Sequence, residues 1–258
     1  MSSILYEVKN HIAYVTLNRP DVLNCFNYET LKQLGEIVEE IHHNPEARVV
    51  IFTGAGEKAF SAGADLKERK TLTENEVRRN VSKIRDVFTA VDKLPQPTIA
   101  AMNGYAFGGG FELALACDFR IAVEDTKMGL TELGWAIIPG AGGTQRLPRL
   151  IGQAKAMELI LTAKKLSSEE ALQYGILNEV VSSDKLIETA EQWAERMLSN
   201  GPIALKQAKF AIKQGMNVDL ETGLNLEAKA YEVTIPTKDR VEALVAFGEK
   251  RPPEFKGE

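Results

Sequence analysis

Three short strand-like runs, Val49–Thr53, Thr98–Met102 and Phe119–Val123, constrain this chain more than any other feature. They are too short for helices. The first two lack the polar alternation of a half-exposed strand, so they read as strands buried in a sheet; Phe119–Val123 reads as a third strand. Between and before them run helical stripes. Tyr28–His42 spaces Leu31, Leu34, Ile37, Val38 and Ile41 helically, and Glu74–Leu94 does the same with Val77, Val81, Ile84, Val87, Phe88 and Val91 until Pro95 and Pro97 stop it. Ile4–Val8 and Ile12–Leu17 alternate about Lys9-Asn10-His11, the pattern of a β-hairpin. From Gln153 the chain reads as helices, over 153–161, 168–174, 183–198, 202–215, 220–233 and 238–249, with a strand at Leu177–Val181. This order predicts an α/β core over residues 1–196, followed by a helical region over 197–258. Lys127–Gly143, rich in glycine, predicts irregular structure.

Composition removes several function classes. With 31 basic and 36 acidic residues the net charge is −5, which argues against a broad nucleic-acid surface. Cys25 and Cys117 suit a reducing compartment rather than a disulfide framework. The first residues, Met1-Ser2-Ser3-Ile4-Leu5, show no secretory or transit pattern, and no apolar run is long enough to span a bilayer, so a cytoplasmic protein with no membrane partner is expected. Gly54-Ala55-Gly56-Glu57-Lys58-Ala59 fits a dinucleotide fingerprint by letter, but no helix pattern opens on it. Ser61 sits in a near match to the hydrolase elbow, yet His11, His42 and His43 all precede it, the wrong order for that triad. No histidine–cysteine spacing fits a metal site.

What remains is a set of glycine turns and two glutamates. Asn103-Gly104-Tyr105-Ala106-Phe107-Gly108-Gly109-Gly110-Phe111-Glu112 leaves a buried strand and enters a short helix predicted over Phe111–Ala116. Three glycines let the backbone approach a ligand, and free N–H groups at a helix start favour negative charge. A tight packing turn accounts for this segment equally well. Phe60–Lys67 is a second strand-exit loop of small residues, able to supply a second amide to an oxyanion hole. Glu112 lies one turn past the glycines. Glu132 stands among Leu130, Leu133 and Trp135, where desolvation would raise its pKa; a solvated loop glutamate is the alternative.

These segments, together with Ile138–Leu147 and Phe247-Gly248-Glu249-Lys250-Arg251, resemble the crotonase family, the enoyl-CoA hydratase/isomerase superfamily, over essentially the whole chain. The resemblance implies a spiral of ββα units and a C-terminal helical region that mediates trimerisation, so that a homotrimer or dimer of trimers is expected. It implies an acyl-CoA thioester substrate, with its carbonyl held by the backbone amides of Ala64 and Gly109 and with Glu112 and Glu132 as catalytic residues. Coenzyme A, part of the substrate rather than a cofactor, is expected near Leu23, Ala62, Ala64, Asp65, Leu66, Lys67 and Gly109, with Phe247 and Lys250 of a neighbouring subunit closing on its adenine and phosphates. No metal or other cofactor is expected.

Three positions depart from the commoner family pattern. Asp21-Val22 precedes Leu23-Asn24 where a Lys or Arg is usual, Cys25-Phe26 replaces an alanine-containing version, and Thr131 stands where a proline often precedes the glutamate. Phe111 and Trp135 are bulky beside the expected acyl pocket.

Hydration of a 2-enoyl thioester needs those parts. Negative charge develops on the thioester oxygen, one carboxylate takes a proton from water, and one delivers a proton to the α-carbon. The pair of glutamates favours a hydro-lyase, an enoyl-CoA hydratase of the β-oxidation type, with Glu112 activating water and Glu132 protonating carbon. The alternatives are a Δ3,Δ2-enoyl-CoA isomerase, a methylglutaconyl-CoA-type hydratase or, in another class, a non-catalytic or RNA-binding protein on the same fold.

Overall fold

The structure, a computed structural model, describes residues 2–258. The described residues divide into two units, 2–94 with 98–191, and 95–97 with 192–258.

The first unit opens with β1 (Ile4–Lys9) and β2 (Ile12–Leu17), paired from Ile4 with Leu17 to Lys9 with Ile12. Asn10 and His11 turn the hairpin at φ of 49° and 64°, the left-handed pair that suits the twist of two adjoining strands. Next come α1 (Tyr28–His43), β3 (Val49–Gly54), β4 (Ala59–Ser61), α2 (Leu66–Arg69) and α3 (Glu74–Asp92). The Asn27 side chain accepts from the Thr30 N–H at the start of α1, and Thr73 with Glu76 forms a reciprocal capping box on α3. Then follow β5 (Thr98–Met102), β6 (Tyr105–Phe107), α4 (Gly109–Ala116), β7 (Phe119–Val123) and β8 (Lys127–Gly129). After these come α5 (Gly143–Ile151), α6 (Gln153–Leu161), β9 (Leu166–Ser167), α7 (Ser168–Gln173) and β10 (Glu179–Val181).

The strands form two sheets. One has the order β1-β2-β3-β5-β7-β10, parallel except for the hairpin; the other has the order β4-β6-β8-β9, antiparallel only at β8 with β9. The chain therefore visits the large sheet, the small sheet and a helix in turn, through β3, β4 and α3, then β5, β6 and α4, then β7, β8 and α5. That is a spiral of ββα turns. β5 is buried along its whole length, whereas the edge strand β1 alternates from buried Ile4 to exposed Leu5. Leu34, Val38 and Ile41 of α1 and Phe88 and Val91 of α3 join Val50 and Phe52 of β3 in one core. Loss of such a side chain typically costs about 2–5 kcal/mol.

The structure corrects the sequence reading of Lys127–Gly143. Lys127–Gly129 is a strand, and Gly143 opens a helix that runs to Ile151. β8 is three residues long and exists by pairing with β6 and β9, contacts between segments distant in sequence. Phe111 is core, 1% exposed, and Trp135 is 65% exposed.

α8 (Leu186–Leu198) crosses the boundary between the units. The second unit holds α9 (Pro202–Gly215), α10 (Leu220–Thr234) and α11 (Lys238–Glu249). α9 and α10 approach closely where Gly223 faces the Gly215 backbone; a Cβ on Gly223 would lie 3.5 Å from the Gly215 oxygen. Ile212, Met216, Leu220, Leu244 and Phe247 are all exposed in this unit. Among the described residues, no helix is long and apolar enough to cross a membrane.

Candidate active site

The site is built where the two strand-exit loops meet. Gly63, at φ 95°, packs on the glycine turn so tightly that a Cβ would stand 2.8 Å from the Phe107 oxygen and 3.1 Å from the Gly109 nitrogen. Gly110 presses on the other loop, where a Cβ would overlap the Ser61 carbonyl oxygen. These glycines are thus the condition for bringing Ala64 beside Gly109. The Phe26 N–H donates to the Gly63 oxygen at 2.8 Å and the Asp65 N–H to the Phe26 oxygen at 2.9 Å, which leaves the Ala64 N–H between them out of the ladder. Gly109 is the first residue of α4, where N–H groups have no partner within the helix. Among the described residues neither amide meets a protein acceptor.

One turn into α4, Glu112 is 2% exposed. Its Oε1 accepts two backbone N–H groups, from Ala141 and Gly143, each at 2.8 Å. The Gly108 N–H donates to the Gly129 oxygen at 2.9 Å, tying the glycine turn to the end of β8. Three residues on, Glu132 opens a short 3₁₀ turn (Glu132–Trp135) and turns its carboxyl under Gly108, whose Cβ would lie 3.3 Å from Oε1. Its Oε2 is buried without a hydrogen-bond partner among the described residues.

The two carboxyls differ electrostatically. Burial raises both. In Glu112 the rise is opposed by the Gly143 and Ala141 N–H groups and by the positive charge of Arg146. Burial pushes Glu132 up to about 7, the neighbouring Glu112 adds to the rise, and only its own backbone N–H opposes it. Of the two, Glu112 is the carboxyl built to carry charge and Glu132 the one built to carry a proton.

A cleft of about 390 Å³, partly open to solvent, runs from Ala64 along α3. Ile84 contributes to its wall and reaches Gly109, whose Cβ would meet Ile84 Cδ1 at 3.1 Å. Arg69 also lines it, with no acceptor among the described residues. The two acids nearby are already engaged. Asp65 caps α2 and takes Arg19 Nη2 at 3.0 Å, while Glu68 accepts from the Tyr28 N–H and from Asn80 Nδ2.

The other residues expected from the sequence fall into two groups. Leu23 lies beside Ala62, whose N–H donates to the Leu23 oxygen at 3.0 Å, and Leu66 and Lys67 open α2 with exposed side chains. The Asp65 side chain is taken up by capping and by Arg19, so its place in the site is structural. Phe247 and Lys250 belong to the second unit; Phe247 is 85% exposed near the end of α11, and Lys250 caps that helix. Sequence reasoning assigned no site role to Arg69, Ile84, Ala141 or Arg146, although Ile84 stood in a helical stripe and Ala141 and Arg146 in the Ile138–Leu147 family motif. That motif was the signal for the Ala141–Gly143 amides.

An oxyanion-type amide pair beside two unlike carboxyls, on a ββα spiral, defines a protein able to stabilise an enolate and move protons at its α-carbon. Residues 7–258 match the profile of the enoyl-CoA hydratase/isomerase family, and the chain belongs to that family. It is similar to YngF of Bacillus subtilis (strain 168), a provisionally named enoyl-CoA hydratase/isomerase, with 56% identity over 99% of this chain and 98% of that protein. It is 46% identical to the human mitochondrial methylglutaconyl-CoA hydratase, over 98% of this chain and 76% of that one. The crystal structure of an enoyl-CoA hydratase from Bacillus anthracis superposes with a TM-score of 0.98 at 53% identity, covering all of both chains.

Proposed function

We propose that this chain is an enoyl-CoA hydratase that adds water reversibly across the 2,3 double bond of a 2-enoyl-CoA thioester. The observation that carries the reading is the unequal holding of Glu112 and Glu132 beside the unpaired amides of Ala64 and Gly109. Ionised Glu112 takes a proton from water as its oxygen bonds to C3. The electron pair of the double bond moves to the thioester oxygen, which the two amides hold as an enolate. Collapse of the enolate draws the Glu132 proton to C2. The proton on Glu112 then returns to Glu132, and the site is reset with no redox equivalent consumed. Loss of one amide donor of this kind typically costs about 3–4 kcal/mol of barrier.

The nucleotide end of coenzyme A is assigned to the loop holding Leu23, Ala62 and Ala64–Lys67, with Phe247 and Lys250 contributed by a neighbouring subunit. The exposed apolar side chains of α9–α11 support a homotrimer or a dimer of trimers, because patches of this kind commonly mark interfaces. A cytoplasmic site of action is supported by Cys25 and Cys117, two free cysteines suited to a reducing compartment.

A second reading, hydration of an acyl chain ending in a carboxylate, is favoured by Arg69. A guanidinium that meets no acceptor among the described residues, in a cleft walled mainly by apolar side chains, suits an anionic end group. Methylglutaconyl-CoA hydratase carries such an end group in its substrate's name.

The test follows loss of the conjugated thioester absorbance for crotonyl-CoA and for 3-methylglutaconyl-CoA, with wild type and Arg69→Ala. Hydration of both by wild type, with a roughly 10-fold or larger loss confined to the acidic substrate in the variant, supports both readings. An enzyme that shifts 3-enoyl double bonds and hydrates neither substrate would be an isomerase.

A further inference from the structure

Glu112 does not hold itself in place. Both amides that grip its Oε1 come from the stretch between Ala141 and Gly143, which is closed from behind by one side chain. Arg146, one turn into α5, folds back so that its Nη1 donates to the Ala141 oxygen at 2.9 Å. The guanidinium packs against Gly142, where a Cβ would overlap Nη1; Gly142 sits at φ 108°, a conformation that also favours glycine. On its far side Nη2 meets Asp92 Oδ2 of α3 at 3.5 Å. The Arg146 side chain is 17% exposed and that of Asp92 34%.

We propose that Arg146 is a positioning residue for the hydration. Anchored by Asp92, it holds the Ala141–Gly143 amides in register so that Glu112 presents one oxygen to them and the other to the reacting water. The proposal rests on the function proposed above.

Arg146 also places a positive charge beside Glu112, which favours the ionised form. The other charged groups bearing on Glu112 are few. Glu132 lies in the turn after β8 and opposes ionisation. Strands β4, β5 and β6 carry no charged side chain. On α3, Lys83 is turned to Gly35 of α1, Arg85 and Asp86 are exposed, and Asp92 acts through Arg146. Removing the arginine charge therefore shifts the acid limb of kcat/KM, set by Glu112, to higher pH. Removing the Asp92 charge shifts it the other way.

The test compares wild type with Arg146→Gln, Arg146→Lys and Asp92→Asn on an enoyl thioester that wild type hydrates. Arg146→Gln is expected to lower kcat about 10- to 100-fold with KM within about 3-fold, and to raise the acid limb by at least about half a pH unit. Arg146→Lys keeps the charge without the two-sided span, so the limb stays and part of kcat returns. Asp92→Asn lowers the limb with a smaller loss of rate.

A uniform loss at all pH values, or full activity in folded Arg146→Gln, overturns the proposal. If Arg146→Gln does not fold, the Arg146→Lys and Asp92→Asn limbs decide in the same way. A readout without turnover separates this proposal from the function. Carbon-13 NMR of labelled glutamate, with the Glu112 signal identified by its loss in Glu112→Gln, reports the Glu112 titration directly. If wild type hydrates no thioester, the hydratase reading fails, and an unchanged Glu112 midpoint in Arg146→Gln still overturns the positioning role.

Discussion

Glu112 and Glu132 are the same side chain in two surroundings. Glu112 sits on a helix, buried to 2% exposure, with two amides on one oxygen and an arginine behind them. Glu132 sits in a one-turn loop with one oxygen buried and unpaired. Burial alone would push both toward the neutral form, so it is the donors that separate them. The comparison teaches that a protein divides acid from base less by choosing residue types than by deciding which carboxylate it solvates with its own backbone.

The largest expected effect breaks the pair outright. Glu112→Gln and Glu132→Gln should each lower kcat for hydration by roughly 10²- to 10⁴-fold, as initial rates on crotonyl-CoA would record. If either variant kept the wild-type rate, the division of roles would be wrong.

Next comes the packing that sets the amides beside the carboxyls. Gly110→Ala puts a methyl into the Ser61 carbonyl, backbone against backbone, and should destabilise the fold by roughly 2 kcal/mol or more on chemical denaturation. The same change at Gly134 meets no atom within 4 Å and serves as the contrast.

The comparison also has a pH signature. Glu132 must be protonated to act, so kcat should fall as pH rises through about 7, where burial has placed its titration. The stability consequence has a definite sign. Glu132 has a folded pKa raised above its unfolded value of 4.5, so its protonated form stabilises the fold at low pH. That contribution is lost as pH rises from about 4.5 through about 7.

Glu132→Gln removes the cost of the buried charge. At pH 8.5 the variant should be more stable than wild type by about 2 kcal/mol, after discounting for partial solvent access, and the gap should close near pH 5. Equal melting curves at both pH values would show that Glu132 is solvated after all. The smallest effect is a control: His43→Ala loses only exposed contacts, to Glu39 and to the His42 ring, so rate and stability should move by less than about 0.5 kcal/mol.

Much of this was readable along the chain because it depends on neighbours in sequence. The hairpin β1–β2, α1 and α3 follow from side-chain period and capping residues. The strands β3 and β5 follow from apolar runs, and β7 from a third strand-like run, with helices between them. Glu112 and Glu132 stood out as the carboxylates near glycine turns. The small sheet was not readable: β4 and β6 are three residues each, too short for any period, and they are strands only because their partners lie alongside. α5 was hidden by the glycines that let its start approach Glu112, since a Cβ on Gly143 would stand 3.1 Å from Oε1.

Local pattern was thus enough for the elements whose stabilising contacts lie close in the chain, and for the residue types able to do acid–base chemistry. Which glutamate is gripped and which is bare follows from contacts made in three dimensions. The folded chain also assigned Asp65 to a cap and Arg19, left Arg69 in the cleft with no acceptor among the described residues, and placed Arg146 behind Glu112. Proton affinity and charge pairing depend on distance and burial in three dimensions, and residues 112, 132, 141, 143 and 146 meet there through a fold that no local pattern encodes.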